Sequence, residues 1–356
     1  MIKSFALKNY RGIREGHLSD FSSINIFIGD NGSGKTSVIE GLVWVGEAIQ
    51  GAIDASPNEH NVACGKSLKN YEYLLRKRNQ ETGSMVIRIL NPSRLRLAIP
   101  MDEFCKNIHV SGIPDKAVYF NSGDSIEFDV DGKVHFDINI QKQEGRAVFD
   151  LESPSCEFDK VEEFRIFTNI LYMDSTFAFN HHIESSYLGE LVYGGKKSKV
   201  IEHFNSIYSQ KIDNFERVND HFAVYLRGNE RAIHIDNLGS GMRIALRMLI
   251  LLALHENALV FMEELDAYQS PSNLRNIAKI LCYFSRNANV QFFISTHSYD
   301  TLTSFQDLED CSDIKVFPFL LRDGKLMTKA LDYEYFVKEF SSGVDFRQME
   351  QYIVHE

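Results

Sequence analysis

The segment at residues 29–36, Gly-Asp-Asn-Gly-Ser-Gly-Lys-Thr, restricts the fold of this chain more than any other stretch of its sequence. It matches the pattern GxxxxGK[ST], and it lies between the apolar run 24–28 and a segment with helical character. A glycine-rich loop between a strand and a helix surrounds anionic phosphate oxygens with its backbone N–H groups. The sequence therefore predicts a phosphate-binding P-loop at the end of a buried strand.

The residue types in this loop indicate which atoms would contact a nucleotide. The ammonium group of Lys35 would reach the β- and γ-phosphates, and the hydroxyl of Thr36 would ligate Mg²⁺. ATP and Mg²⁺ are therefore the expected cofactors. The predicted nucleotide-binding residues of the loop are Gly29, Asn31, Gly32, Ser33, Gly34, Lys35, Thr36 and Ser37.

Length and charge narrow the class of protein. At 356 residues the chain exceeds one ordinary hydrophobic core, so two lobes are expected. The longest apolar run, residues 248–254, is too short to span a bilayer, and the N-terminus carries no signal-peptide pattern. The net charge of −11 argues against a surface that generally coats DNA. The sequence thus favours a cytoplasmic protein without membrane contact.

Two further features of composition have simple interpretations. Basic residues cluster at 76–78, at Arg94 with Arg96, and at 196–199, and short clusters of this kind are usually solvated faces. DNA contact through them stays an open alternative. The cysteines are widely spaced, odd in number and without a CxxC pair, which predicts buried or free thiols rather than disulfides or a zinc site. They are Cys64, Cys105, Cys156, Cys282 and Cys311.

Hydrophobic periodicity predicts an α/β domain in two halves, residues 1–55 and 230–356. The first half reads as two or three strands, the P-loop and a helix from about Lys35 to Gln50. In the second half, predicted helices alternate with apolar strands, as in parallel sheets covered on both faces. The second-half predictions are helices at 242–255, 271–287 and 334–340, and strands at 258–262, 290–295 and 314–321, with a turn at 323–324.

The pattern changes over residues 56–229, where it predicts an inserted lobe with strands and helices. Strand-like segments occur at 84–90 and 94–99, and alternating apolar residues flank the Asp131-Gly132 turn of a predicted hairpin. A helical section near 199–220 and a hairpin around 227–229 complete the lobe. The predicted fold class is thus α/β: a P-loop NTPase with a mixed sheet and helices, plus this insertion.

Candidate site residues lie after two apolar strands and at the start of one helix of the second half. Glu263 and Glu264 come directly after the strand at 258–262, where two carboxylates suit Mg²⁺ positioning and water activation. His297 follows the strand at 290–295 and would hydrogen-bond a γ-phosphate or the attacking water. Ser240-Gly241 begin a helix and would offer a second anion site. The alternatives without a functional role are an exposed acidic strand end for the glutamates, a structural role for the histidine and an ordinary helix cap at Ser240-Gly241.

The order of these elements resembles the ATP-binding-cassette head of the RecF, SMC and OLD group of ATPases. Residues 2–13 and 29–42 are similar to the opening strand and Walker A segment of that group. The resemblance covers about residues 1–50 and 230–305, and the insertion corresponds in position only. The glutamate pair, Pro271 and the ISTHS run at 294–298 are most similar to OLD-like ATPases of bacterial and phage-conflict systems.

The resemblance implies roles for single residues. Glu263 takes the Walker B position beside the metal, Glu264 that of the general base, and His297 that of the switch histidine. Ser240 and Gly241 belong to the signature that is presented to the partner subunit's nucleotide. The resemblance also places Asp266 against the other subunit and Arg11 near the nucleotide, and it leaves Gln141 and Gln143 as candidates for the coupling glutamine.

The chain departs from the family pattern in several places. Glu263 stands where the family usually has Asp, and the signature reads LGSGM at 238–242 rather than LSGGE or LSGGQ. Only 59 residues follow His297, too few for a TOPRIM nuclease domain in addition to the end of the ATPase fold. The insertion has no heptad run, so an SMC-like coiled-coil arm is not expected.

The leading hypothesis is an OLD/RecF-like ATPase subunit whose heads associate through ATP as a homodimer or higher oligomer. Head association would switch a separate effector, for which a nuclease is one candidate, in anti-phage defence or DNA repair. One alternative is a nucleotide-gated scaffold or sensor that binds ATP with little turnover, as Glu263 and the displaced Ser240 suggest. The other is a DNA-binding repair ATPase.

Overall fold

The computed structural model describes residues 1–10, 12–43, 72–79, 84–90, 96–100, 118–121, 125–128, 135–140, 147–149, 156–158, 169–173, 182–218, 221–308, 311 and 313–346. Contacts between Cα atoms group the chain into two compact units. The first is Met1–Tyr172 together with Ile314–Glu356, and the second is Met173–Asp313. The predicted division into an ATPase domain, residues 1–55 and 230–356, and an insertion, residues 56–229, stays a prediction.

The first unit opens with the elements that carry the P-loop. They are β1 (Ile2–Tyr10), β2 (Ile13–Leu18), β3 (Ile24–Ile28) and helix α1, which begins at residue 35 and is described as far as residue 43. The strands that follow are β4 (Glu72–Asn79), β5 (Ser84–Leu90), β6 (Arg96–Pro100), β7 (Val118–Asn121), β8 (Ser125–Phe128), β9 (His135–Ile140), β10 (Ala147–Phe149), β11 (Cys156–Phe158) and β12 (Ile170–Met173).

The second unit contains helices α2 to α6 and strands β13 to β17. Their bounds are α2 (His182–Tyr193), α3 (Lys197–Ile207), β13 (Ile212–Val218), β14 (His221–Leu226), β15 (Ile233–His234), a 3₁₀ turn (Ile235–Asn237), α4 (Ser240–Leu254), β16 (Leu259–Glu263), α5 (Pro271–Asn287), β17 (Gln291–Thr296) and α6 (Tyr299–Thr303). The chain then returns to the first unit with β18 (Ile314–Arg322), β19 (Lys325–Thr328), β20 (Leu331–Asp332) and α7 (Tyr333–Ser341).

A mixed sheet supports the P-loop in the first unit. Strand β3 is buried along its whole length and pairs in parallel with β18, from Ile24 opposite Ile314 to Ile28 opposite Pro318. Strand β19 folds back antiparallel to β18 and meets β2 in parallel, while β1 is antiparallel to β2. The ring of Phe27 lies 4.9 Å from that of Phe319 between centroids. Apolar side chains of β3 and β18 thus form the core beneath the loop.

The strands between the P-loop helix and β12 pair mainly as antiparallel hairpins. Strands β4, β5 and β6 form one antiparallel set, and β7, β8 and β9 form another whose last strand pairs with β1. Ile126 lies opposite Ile138, so the hairpin predicted around Asp131-Gly132 is confirmed by its two strands. The turn residues themselves, 129–134, lie outside the described residues.

In the second unit, helices pack around a buried parallel pair of strands. Strands β16 and β17 run in parallel, with Leu259 opposite Gln291 and Glu263 opposite Ser295. Helix α5 begins at Pro271 after the N-cap Ser270, whose hydroxyl accepts a hydrogen bond from the backbone N–H of Asn273. Helix α4 is buried along most of its length. The predicted α/β class with a mixed sheet is confirmed.

The helical section predicted at 199–220 is wrong beyond Ile207. The Asn205 side chain bonds both the N–H and the carbonyl of Ile212 at 2.8 Å, which replaces the next helical turn with a bend. Strand β13 follows, and its Ile212 and Phe215 are fully buried. The alternation of buried and exposed residues that marks a strand is interrupted here, because the pairing of β13 with β14 is irregular between Ile212 and Asn214.

The prediction of free thiols is also wrong for one pair of cysteines. Cys282 of α5 and Cys311 are joined by a disulfide across 29 positions of the sequence. Spacing alone did not indicate this pairing, because the two residues meet only when α5 and the segment after α6 pack together. In the part of the chain that the structure describes, no helix is long and apolar enough to cross a membrane.

Candidate functional site

The P-loop joins β3 to α1 with a backbone that needs glycine. Gly29, Gly32 and Gly34 have φ values of +155°, +79° and +100°, a range that L-residues with a Cβ rarely adopt. A Cβ at Gly29 would lie 2.6 Å from the carbonyl oxygen of Phe319 and 2.8 Å from the hydroxyl of Ser33. The loop is therefore closed tightly against β18 at its start.

Lys35 lies inside the curve of this loop. Its Nζ donates hydrogen bonds to the carbonyl oxygens of Gly29 at 2.7 Å and Asp30 at 2.9 Å, and it lies 3.4 Å from the hydroxyl of Ser33. The Lys35 residue is only 5% exposed, whereas Thr36 directly after it is exposed. A buried ammonium surrounded by backbone, with N–H groups at the start of α1, fits a phosphate group well.

Three candidate residues of the second unit, Glu263, Glu264 and His297, lie at the carboxyl ends of β16 and β17. Glu263 lies opposite Ser295 in the parallel pair, and the N–H of Glu264 donates to the carbonyl of Ser295 at 3.0 Å. His297 follows β17 directly and is half-buried. The structure thus brings the glutamate pair and the segment of the histidine together at one edge of this sheet.

Glu264 has an unusual backbone for a residue with a large side chain. Its φ is +54°, and its side chain is exposed. The carbonyl of Glu264 accepts a 2.8 Å hydrogen bond from the N–H of Ala267, which closes a turn after β16. The chain therefore turns sharply at Glu264, directly after the end of β16.

The start of α4 is held by its own neighbours in the second unit. Arg243 Nη1 donates to Asp236 Oδ1 at 3.2 Å, and the N–H of Arg243 donates to the carbonyl of Gly239 at 3.0 Å. Ser240 is the first residue of α4, two positions earlier than the predicted start of the helix. Ser240 and Gly241 therefore occupy the first turn, where backbone N–H groups have no partner within the helix.

Three of the residues predicted for the site, Arg11, Gln141 and Gln143, lie outside the described residues. The others are divided between the two units. The P-loop belongs to the first unit, and Ser240, Gly241, Glu263, Glu264 and His297 belong to the second.

Asp266, which the resemblance placed against another subunit, has partners within its own chain. Its Oδ1 accepts hydrogen bonds from the hydroxyls of Thr296 and Thr301, the second at 3.2 Å.

The lysines of the basic cluster at 196–199 are engaged locally. Lys196 pairs with Glu256 at 3.4 Å, Lys197 Nζ lies 5.3 Å from the centre of the Phe215 ring, and Lys199 Nζ lies 4.8 Å from that of Tyr283. Contacts of this kind are what a solvated basic face makes with its surroundings. The cluster is accounted for without a nucleic acid, and DNA binding stays an alternative.

Two family profiles match the chain. A profile described as "AAA domain, putative AbiEii toxin, Type IV TA system" matches residues 142–303, and one described as "AAA ATPase domain" matches residues 1–47. Their matched stretches contain the P-loop and the ends of β16 and β17. Both stretches are thus similar to AAA-type ATPase domains. The first stretch begins at residue 142, within the predicted insertion at 56–229.

Individual proteins that are similar to this chain are distant from it in sequence. The uncharacterized protein MJECL11 of Methanocaldococcus jannaschii is 25% identical over 113 residues, which are 31% of this chain and 99% of that protein. The SMC head domain from Thermotoga maritima is 12% identical at a TM-score of 0.43, over 93% of this chain and 99% of that one. A Pyrococcus furiosus Smc head, described as bound to the C-terminal domain of ScpA, is 12% identical at 0.44, over 96% and 98%.

Two residues of the site region had no signal in the sequence. Tyr208, at the end of α3, lies 2.7 Å from the carbonyl oxygen of Gly241, and the side-chain amide of Gln269 donates to the same oxygen at 3.0 Å. Both are far from Gly241 along the chain, and neither belongs to a motif. A glycine in the first turn of a helix was the only indication that another backbone approaches there.

Proposed function

We propose that this chain is an ATP-hydrolysing switch subunit of the OLD/RecF-like kind. Residues 29–37 would hold the phosphates, with Lys35 at the β- and γ-phosphates and the Thr36 hydroxyl and Glu263 at Mg²⁺. The observation that carries the proposal is the position of the Lys35 ammonium within the curve of the loop, at 2.7 Å from the Gly29 carbonyl. The AAA profiles that match residues 1–47 and 142–303 support an ATPase.

Each residue would have a defined task in the reaction. Bound MgATP supplies the phosphoanhydride bond that is broken. Glu264 would accept the proton of the attacking water, and His297 would hydrogen-bond the water or the terminal phosphate. The first turn of α4, at Ser240 and Gly241, would offer its N–H groups to the nucleotide of a second copy. On this proposal two copies associate when ATP binds and separate after hydrolysis.

The biological role is proposed from weaker support. One matched profile carries the description of a toxin–antitoxin protein, which favours a role in a conflict or defence system over repair. A separately encoded effector, for which a nuclease is one candidate, would receive the change in head association. The test is co-purification of the chain with the product of a neighbouring gene, in the presence and absence of ATP.

Turnover is tested with two substitutions and two matched controls. Lys35→Ala should weaken ATP binding about ten- to hundredfold, because a charge-assisted hydrogen bond contributes roughly 1.5–3 kcal/mol. Glu264→Gln should keep ATP binding and lower kcat about a hundredfold or more, the usual contribution of a general base. Lys315→Ala, which breaks a surface pair with Asp332, and Glu256→Gln should leave both quantities unchanged.

The results separate the proposed function from its alternatives. If hydrolysis and binding survive both Lys35→Ala and Glu264→Gln, the site assignment is wrong. If the unchanged chain binds ATP and associates but releases no phosphate, it is a nucleotide-gated scaffold. Light scattering of the Glu264→Gln chain with and without ATP measures the association directly, and a salt-dependent shift of DNA would favour the repair alternative.

A further inference from the structure

Residues 264–270, between β16 and α5, form a loop whose shape is fixed at both ends; we refer to it as the coupling loop. Glu264 and Tyr268 have φ values of +54° and +63°, which are unusual in residues with large side chains. The N–H of Gln269 donates to the carbonyl of Asp266 at 3.1 Å, and Ser270 then caps α5. Seven residues thus make a compact, internally bonded connection.

One side of the coupling loop is bonded to the segment that carries His297. The carboxylate of Asp266 accepts from the hydroxyls of Thr296 and Thr301, which lie on either side of the histidine. The Thr296 hydroxyl in turn accepts from the N–H of Ser298 at 2.9 Å. Asp266 therefore holds the chain before and after His297 in one arrangement.

The other side of the coupling loop meets the first turn of α4. The carbonyl oxygen of Gly241 lies 2.7 Å from the hydroxyl of Tyr208 and 3.0 Å from Nε2 of Gln269, which donates to it. The Tyr208 hydroxyl also lies 2.9 Å from Oε1 of Gln269, so its single proton has two oxygen acceptors. Any Cβ at position 241 would collide with the carbonyl oxygen of Tyr268.

The surroundings of Tyr208 hold its hydroxyl in place against the Gln269 amide and the Gly241 carbonyl. Tyr208 is 8% exposed, and burial raises the pKa of its phenol, so the hydroxyl keeps its proton at neutral pH. Lys211 donates to the carbonyl of Tyr208 at 2.7 Å, and the Tyr208 ring lies 5.0 Å from that of Phe204 between centroids. The hydroxyl is therefore presented by a rigid residue rather than a mobile one.

We infer that Tyr208 and Gln269 are positioning residues which fix the first turn of α4 to the loop that begins at Glu264. This inference rests on the proposed function, because it assigns their effect to the turnover of ATP. The two side chains would set the orientation of the Ser240 and Gly241 N–H groups relative to the general base of the same chain. They would not contact the nucleotide, so the affinity of the P-loop for ATP should not depend on them.

The test uses the whole chain with Tyr208→Phe, Gln269→Ala and the double variant. Each single change should lower kcat about three- to tenfold, the effect of losing one neutral hydrogen bond, with the ATP dissociation constant within about twofold. Because the two side chains share one acceptor, the double variant should lose less than the product of the single losses. Tyr225→Phe is the matched control, since its hydroxyl bonds Glu216 in the β13–β14 hairpin.

The outcomes are distinguishable. Unchanged kcat in Tyr208→Phe and Gln269→Ala, beside an unchanged chain that hydrolyses ATP, overturns the positioning role alone. A loss of kcat equal to that of Tyr225→Phe overturns it as well. Absence of turnover in the unchanged chain overturns the proposed function and this inference together. If Tyr208→Phe does not fold, the kcat of Gln269→Ala, compared with its ATP affinity and melting temperature, decides the question.

Discussion

Replacing Gly29 by alanine tests whether the P-loop is closed by contact with β18. The backbone of Gly29 has φ of +155°, and a Cβ there would lie 2.6 Å from the Phe319 carbonyl and 2.8 Å from the Ser33 hydroxyl. Gly32 is the matched control in the same loop. Its φ is +79°, and a Cβ there would meet nothing within 4 Å. Both alanine variants therefore carry a cost for positive φ, and only Gly29→Ala adds a collision.

The expected magnitudes follow from these two terms. A left-handed backbone costs a residue with a Cβ roughly 1–2 kcal/mol, which is the whole expected cost of Gly32→Ala. Gly29→Ala adds about 1–3 kcal/mol for forcing an atom against a packed carbonyl. The φ of +155° at Gly29 is rarely adopted by a residue with a Cβ, and residues held in sparsely populated backbone regions cost of order 1–3 kcal/mol. We expect a total of about 2–6 kcal/mol for Gly29→Ala.

Urea unfolding followed by circular dichroism measures both variants against the unchanged chain. The slope of the transition should stay the same, so a shift in midpoint reports stability. The entropy that alanine removes from the unfolded chain is equal in both variants and cancels in their difference. If Gly29→Ala loses no more stability than Gly32→Ala within about 0.5 kcal/mol, the loop does not close against β18 as described, and the steric reasoning fails.

Three further predictions concern the second unit. Cys282→Ser should cost about 3–4 kcal/mol of stability by opening a loop closed across 29 positions, and dithiothreitol should destabilise the unchanged chain but not the variant. Burial, and secondly Lys199, lower the pKa of His203, so the unfolded state takes up its proton first. The free energy of unfolding should therefore fall as pH drops below about 6.5, and His203→Phe should flatten this slope in urea titrations at several pH values. Gly241→Ala should lower the melting temperature, because its Cβ would collide with the Tyr268 carbonyl oxygen. Gly189→Ala, in an open position of α2, should raise the melting temperature by removing a helical glycine. Equal shifts in the two variants would contradict the close contact between Gly241 and the Tyr268 carbonyl.

Sequence reasoning succeeded where a signal is local. The P-loop pattern gave the end of β3 and the start of α1 at Lys35, and the proline at 271 marked the first residue of α5. Continuous apolar runs gave β16 and β17 to within one residue at each end. Each of these signals depends on a few adjacent residues, which a linear sequence displays directly.

Sequence reasoning failed where the local structure depends on a contact with a residue that is distant along the chain. The chain after Ile207 turns into a strand because Asn205 bonds Ile212 and because β14 pairs with β13, and neither contact has a local pattern. The disulfide of Cys282 and the contacts of Tyr208 with Gln269 depend on which helices pack together. The sequence contains chemically suitable residues for the site, but no local pattern shows which of them lie close together.

The pairing of β3 with β18 has a consequence for synthesis of the protein. About 290 residues of chain separate Gly29 from Phe319, whose carbonyl lies against it. During translation the P-loop therefore emerges long before the strand that supports it, and β3 waits with an unpaired edge until β18 leaves the ribosome. Unpaired apolar edges invite aggregation and non-local pairings form slowly. The P-loop is thus synthesised about 290 residues before the strand that completes its support.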